Sequence, residues 1–206
     1  MKKSSLAVAI VLIVLGFTAS VGATTIKITS TLADFTWVRF TLNGTATADY
    51  VGMFDLTIDG TPTTGYCVDM DHSITVPWGP YNVALTTDLN DDGDVPNGYK
   101  AAWLMDKWRN GADGPALQLA IWDVIGYGPV TNILNSTIQA DFNTYMGSLG
   151  LYTGFNGAGY AIAELADLER PAQDILVGAP VPEPMTLLLL GSGLLGLAGF
   201  RRKMKK

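Results

Sequence analysis

The chain has 206 residues, of which 48% are hydrophobic and only 16% charged. That length and composition provide for one main domain with a buried core, and they exclude a disordered polyelectrolyte, a collagen-like repeat and a coiled-coil rod. All nineteen acidic residues but only six of the thirteen basic ones lie between Ala23 and Met185, so that portion carries a net −13 and no nucleic-acid partner is expected.

Both ends are apolar and are read apart from the middle. Residues 1–23 begin with Lys2 and Lys3, continue with an apolar run from Leu6 to Phe17, and close on the small residues Val21-Gly22-Ala23. This is the order of a secretory signal peptide, with cleavage expected after Ala23; the run is too short for a membrane span. The other end carries Val181-Pro182-Glu183-Pro184, an apolar stretch from Met185 to Phe200, and the cations Arg201, Arg202, Lys203, Lys205 and Lys206. As a helix that stretch reaches about 24 Å, slightly less than the roughly 30 Å of a bilayer core, and the flanking cations can snorkel across the difference. The sequence therefore predicts a C-terminal transmembrane helix with its basic tail on the cytoplasmic side, and a middle that lies outside the inner membrane.

The succession of Pro-Glu-Pro, a Gly- and Leu-rich helix and a basic tail over residues 180–206 resembles the PEP-CTERM sorting signal of bacterial exosortase systems. The resemblance implies recognition around Pro182, Glu183 and Pro184 by exosortase as a partner. It also implies transient anchoring in the cytoplasmic membrane, then delivery to the cell surface or extracellular matrix. The domain organisation expected is thus a signal peptide (1–23), an exported body (24–180) and a sorting segment (181–206). Gly191-Ser192-Gly193-Leu194-Leu195-Gly196 matches the dinucleotide-binding pattern literally, but it lies inside the predicted span rather than between a strand and an amphipathic helix.

Within the body, Thr25 to Ser30 alternates, Phe35 to Leu42 is rich in β-formers, and Phe54, Leu56 and Ile58 alternate with Asp55, Thr57 and Asp59. Asp59-Gly60 turns the chain into a run from Thr63 to Met70 that pairs back as a hairpin. Tyr66, Val68 and Met70 then share one face, with Cys67 and Asp69 on the other, away from the apolar side. The period changes to helical from Tyr99 to Arg109, with Ala101, Leu104, Met105 and Trp108 on one side. A second helix starts at Asp113-Gly114-Pro115 and runs to Ile125, apolar nearly all round and so buried. A weaker helical stretch covers Ile138 to Met146, Ile162 to Leu168 reads as a short helix or irregular segment, and Gln173 to Val177 returns as a strand. The fold class expected is α+β: an antiparallel β-rich sandwich or barrel with an inserted helical pair, plus the C-terminal transmembrane helix.

One polar residue interrupts the buried helix. Gln118 lies one turn before Trp122, and a buried amide without partners costs about 1–3 kcal/mol. Cys67 is the lone cysteine of an exported chain, so it has no internal disulfide partner. Together the two side chains offer a specific chemistry: the thiol attacks the carboxamide carbon, ammonia leaves, and an internal thioester remains, stable while water is excluded. Tyr66-Cys67 and Leu117-Gln118-Leu119-Ala120-Ile121-Trp122 resemble the two motifs of the thioester domains of bacterial surface adhesins, over roughly residues 35–177. The resemblance implies that Cys67 and Gln118 form the bond and that it captures an amine or other nucleophile on a partner surface or matrix polymer. Read without it, the same residues allow a buried Cys and a core-satisfied Gln in a noncovalent matrix or biofilm module.

Asp88-Leu89-Asn90-Asp91-Asp92-Gly93-Asp94 offers oxygen ligands at Asp88, Asn90 and Asp92 with Gly at the sixth place, in the manner of a calcium loop, although Tyr99 stands where a bidentate Glu is required. Either a weak extracellular Ca²⁺ site or a solvated turn is consistent with it, and no other cofactor is indicated. His72 is the sole histidine and no nucleophile motif accompanies it, so the body is not expected to be an enzyme. Asn43-Gly44-Thr45 and Asn135-Ser136-Thr137 match the glycosylation sequon.

Overall fold

The computed structural model describes residues 24–31, 35–90, 95–110, 113–165 and 172–178. The signal peptide, Asp92 of the candidate calcium loop, the Pro182-Glu183-Pro184 motif and the C-terminal transmembrane helix lie outside the described residues. Among the described residues no helix is long and apolar enough to cross a membrane.

The strands are β1 (Thr24–Thr31), β2 (Thr36–Leu42), β3 (Thr45–Val51), β4 (Phe54–Ile58), β5 (Thr61–Cys67), β6 (Trp78–Thr86), β7 (Val130–Thr131), β8 (Tyr160–Glu164) and β9 (Ile175–Gly178). The helices are α1 (Gly98–Trp108), α2 (Gly114–Val124) and α3 (Ser136–Ser148). Six strands close a barrel in the order β1-β4-β5-β9-β8-β6, and β3-β2-β7 forms a separate sheet of three. Every pairing is antiparallel.

Alternation explains the barrel wall. Ile26 and Ile28 of β1 and Phe54, Leu56 and Ile58 of β4 are buried, while Lys27 and Thr29 between them are exposed. The turn at Asp59-Gly60 is tighter than a 63–70 pairing implies. Ile58 pairs with Thr61, so the loop is only the two residues Asp59 and Gly60, at φ +49° and +80°. A left-handed pair suits Asp-Gly and matches strand twist. Asn43-Gly44, at +48° and +80°, makes the same turn between β2 and β3, so the first sequon is also a hairpin signal.

The fold departs from the sequence reading in several places. β3 and β6 are strands that the reading does not predict: each buries a single residue, Val51 and Val83, and β6 carries Gly79 and Pro80, which ordinarily weaken a strand. Ile162–Glu164, read as the start of a short helix or irregular segment, belongs to β8 (Tyr160–Glu164), and residues 166–168 of that reading lie outside the described residues. Tyr160, Ala161, Ile162 and Ala163 are all buried, and a strand covered on both faces loses the alternation that identifies it. The inserted helical pair is a layer of three, since α3 extends over Ser136–Ser148 and packs on α2.

The sandwich-or-barrel alternative resolves to a six-strand barrel beside a small sheet, with α2 at the centre of the remainder. That helix packs against α1, α3, β3, β5 and β7. Asp113 starts it, its carboxylate accepting from the Ala116 N–H at 2.9 Å, and Pro115 occupies the first turn where no N–H is needed. Gly114 through Trp122 are all buried, as the nearly continuous apolar sequence requires.

Candidate functional site

Cys67 is the last residue of β5, and its surroundings follow from where the neighbouring strands stop. Tyr66 and Cys67 pair with Leu176 and Ile175 of β9, and Val68 N–H continues on that side by donating to the Asp174 carbonyl at 2.9 Å. The alternation of an antiparallel ladder turns the Cys67 N–H and C=O to the opposite side, where β4 would lie. But β4 begins at Phe54, opposite Gly65, and does not reach Cys67. The Gln118 carboxamide from α2 takes the missing strand's place. Cys67 N–H donates to Gln118 Oε1 at 3.0 Å, and Gln118 Nε2 donates to the Cys67 carbonyl at 2.7 Å. The opposite amide orientation would set donor against donor and acceptor against acceptor, so the backbone of Cys67 determines it.

The structure thus brings together the two residues singled out from the sequence, 51 positions apart. It also corrects the expectation that Cys67 faces away from the apolar side. Tyr66, Cys67 and Val68 are each at most 2% exposed, because this end of β5 is covered on both faces. Gln118 is 1% exposed. The Cys67 thiol is free and its sulfur donates to the Asp69 carbonyl at 2.8 Å. Burial pushes the thiol's pKa up to about 12; the contact with the Asp69 backbone and the Trp122 indole act in the opposite direction. The Trp122 N–H is buried and makes no hydrogen bond of good geometry, yet it lies near enough to the sulfur to favour the thiolate. It is a buried donor near the Cys67 sulfur that no hydrogen bond uses.

The loop after β5 is pinned by its own polar groups. Asp69 accepts from Asp71 N–H at 2.7 Å, and its other carboxylate oxygen lies 2.6 Å from His72 Nδ1. That hydrogen bond, reinforced by the carboxylate charge, raises the His72 pKa above 6.5. Met70 N–H donates to the Tyr127 hydroxyl at 3.2 Å. Asp69, His72, Trp122 and Tyr127 are the members of the site that the sequence reading did not assign. The spacing of Gln118 and Trp122, four apart on one buried helix face, was the available signal for Trp122.

The remaining candidates lie elsewhere. Asp88 accepts from Asn90 N–H at 3.2 Å, a local turn. With Asp92 outside the described residues, the three calcium candidates are not seen together. Among the described residues no group of three His, Cys, Asp or Glu could hold a metal ion. Asn135 caps α3, its side-chain oxygen accepting from Thr137 and Ile138 N–H at 3.0 and 3.2 Å, so the second sequon is occupied in structural work.

Comparison with known proteins bears on the tail. Residues 180–203 match the PEP-CTERM protein-sorting motif. The motif supports an exported protein, anchored transiently in the membrane and sorted by exosortase as its processing partner. No curated protein and no solved structure matches the chain, so no relative supports the adhesin resemblance of the body.

Proposed function

We propose that this exosortase substrate is a surface or matrix adhesion module whose body captures a partner covalently, through a thioester between Cys67 and Gln118. The observation that carries the reading is the bracket of the Gln118 carboxamide by the Cys67 peptide. When a sulfur adds to the amide carbon, negative charge develops on Oε1, and the Cys67 N–H is already hydrogen-bonded to that atom. Closure forms the Sγ–Cδ bond, breaks the Cδ–Nε2 bond and releases ammonia, which carries away the thiol proton. The Trp122 N–H favours the sulfur as charge builds on it, and burial keeps water from the product. Capture reverses the bond: a nucleophile attaches to Cδ and Cys67 is restored as a thiol. One partner is taken per thioester, so the body is a stoichiometric adhesin and not an enzyme.

The test is the mass of the exported, processed protein, freshly purified. The thioester form weighs less than its sequence by one ammonia; methylamine removes the deficit and adds a methyl group, and Cys67→Ala and Gln118→Ala each show the full mass. A full-mass, amine-inert protein with a titratable thiol leaves the noncovalent module. That alternative rests on the sulfur's bond to Asp69 and on the use of both amide atoms in holding β5.

A further inference from the structure

The barrel ends very close to the segment that anchors it. β9 finishes at Gly178 and the apolar stretch of the sorting segment begins at Met185, so only residues 179–184 join them. Fully extended, that connection spans about 24 Å, whereas a body of about 155 residues is roughly 40 Å across. Crossing the headgroup layer uses about 6 Å of the reach. While the chain is anchored, the end of the barrel around Gly178 therefore stays at the membrane surface.

The side chains gathered at that end are those that suit lipid. Tyr160 of β8 pairs with Gly178, and the guanidinium of Arg109, the cap of α1, lies 5.6 Å from the Tyr160 ring centroid. A Cβ on Gly178 would come within 2.8 Å of Arg109 Nη1, so this cation stands directly over the point where the chain leaves the barrel. In the last turn of α1, exposed Lys107 holds its ammonium 4.8 Å and 5.3 Å from the ring centroids of Trp103 and Trp108. Trp103 meets Tyr152 edge-on at 5.9 Å, and Leu151, next to Tyr152, is 66% exposed. α1 and its cap carry Lys100, Lys107 and Arg109, half of the six cations of a body with a net −13, against one acid. That acid, Asp106, accepts from the Tyr160 hydroxyl at 3.0 Å. Among the described residues neither Lys107 nor Arg109 has a carboxylate partner. A helix C-terminus accounts for cations in its last turn, but not for two indoles under one of them or for an exposed leucine beside them.

We propose that this end of the body docks on the phospholipid surface of the membrane while the sorting segment is uncleaved. Lys107 and Arg109 meet anionic headgroup phosphates, and Trp103, Trp108 and Leu151 sit where headgroups give way to acyl chains. Indole rings favour that depth, and a lysine stem can lie among them with its ammonium at the phosphates. Anionic lipid repels the rest of the acidic body, which fixes its orientation. Two cations and a small apolar patch do not anchor a protein without a second signal, so cleavage of the tail frees the body. The inference stands on the sorting motif and the end of the barrel, and is independent of the thioester.

The test uses the exported chain with its sorting segment uncleaved, in vesicles of phosphatidylethanolamine and phosphatidylglycerol bearing a nitroxide quencher at headgroup depth. Tryptophan quenching should be about twofold that of Lys107→Gln/Arg109→Gln, and should fall to that variant's level at high salt or in pure phosphatidylcholine. Trp103→Phe/Trp108→Phe should abolish the excess, and Trp37→Phe, at the exposed ring on β2, should leave it. Leu151→Ser should lower it with no change to α1. A Gly-Ser linker of about 50 residues inserted after Ala179 has a root-mean-square length of about 40 Å, enough to free the body. The contrast between parent and double glutamine variant should survive that insertion, because the tether still holds the surface at high effective concentration. Its loss would show that the short connection alone keeps the body near lipid, and would overturn the docking. Equal quenching in parent and double glutamine variant, an excess that follows Trp37, or a contrast that requires added exosortase would overturn it as well.

Discussion

Opening the proposed thioester with methylamine should cost the body about 4 kcal/mol of stability, and the reason lies in the unfolded chain. The proposed Sγ–Cδ bond would tie together residues 51 apart in sequence. While it is closed the denatured ensemble is confined to conformations that keep the loop shut. For a loop of that size the chain-entropy relation gives about 4 kcal/mol at 25 °C. With a urea dependence of about 2 kcal/mol per molar for a domain of this size, the midpoint should fall by about 2 M on opening. One preparation suffices: urea unfolding followed by tryptophan fluorescence before and after methylamine, with the mass recorded at each stage. Cys67→Ala should start at the lower midpoint and not respond. An ammonia-deficient protein whose midpoint stays put when the deficit is removed would refute the reasoning, because a bond across that loop cannot open without releasing its entropy.

Four further outcomes follow from the same geometry. On the Cys67→Ala background, Gln118→Leu strands the N–H and C=O of residue 67 and should cost about 2–6 kcal/mol by urea unfolding; a loss below about 1 kcal/mol would mean that the bracket is not holding β5. Asn135→Ala should cost about 1 kcal/mol through the lost α3 cap, whereas Asn135→Asp, which removes the sequon and keeps the accepting oxygen, should be near neutral. Asp69 raises the His72 pKa above 6.5, so its contribution is complete below that pH and fades as pH rises through the raised value; His72→Gln should flatten the fall in melting temperature over that range. Replacing Pro182-Glu183-Pro184 with alanines should leave unprocessed precursor in the membrane fraction, and normal release would contradict sorting through that motif.

What was legible in the sequence follows burial. α2 is buried along nearly its whole length and is bounded by Asp113 and Pro115, so composition and capping locate it together. β4 and β1 are buried on one face and alternate. β3 and β6 bury one residue each, the others being half-buried or exposed, and so offer little contrast to read, and β8 is hidden on both faces and offers none either. At the site, Gln118 was conspicuous because an amide is costly in an apolar helix, and that cost is also why its partner had to be close. Which atoms meet was not legible. The sequence suggested a side-chain pairing of Cys67 with Gln118, but Gln118 binds the backbone of Cys67, because β4 ends two residues too soon. A ladder left incomplete depends on strand register, and register at a closing barrel is set by all its strands together.

The placement of the lone cysteine narrows what it can do outside the inner membrane. An exposed thiol there would oxidise or cross-link to another chain, chemistry that runs through an accessible thiolate. Cys67 is 2% exposed and its pKa is pushed up to about 12, so it is both hidden and protonated. A redox sensor requires the reverse of each condition. An electrophile that must wait without hydrolysing requires the first, exclusion from water, and its sulfur carries no proton once the bond is closed. The acceptor carbon of such a bond sits on Gln118, fixed by two hydrogen bonds, and Trp122 supplies a donor near the sulfur that no neutral partner has claimed. The cost of burying an unspent N–H is about 1–3 kcal/mol, and it is offset only in a state where the sulfur carries charge, as it does when the bond forms or opens. Trp122→Phe should cost stability through the smaller ring and, beyond that, slow recovery of the ammonia deficit, a readout that packing alone does not move. Deficit formation at the parent rate in that variant would reduce Trp122 to packing.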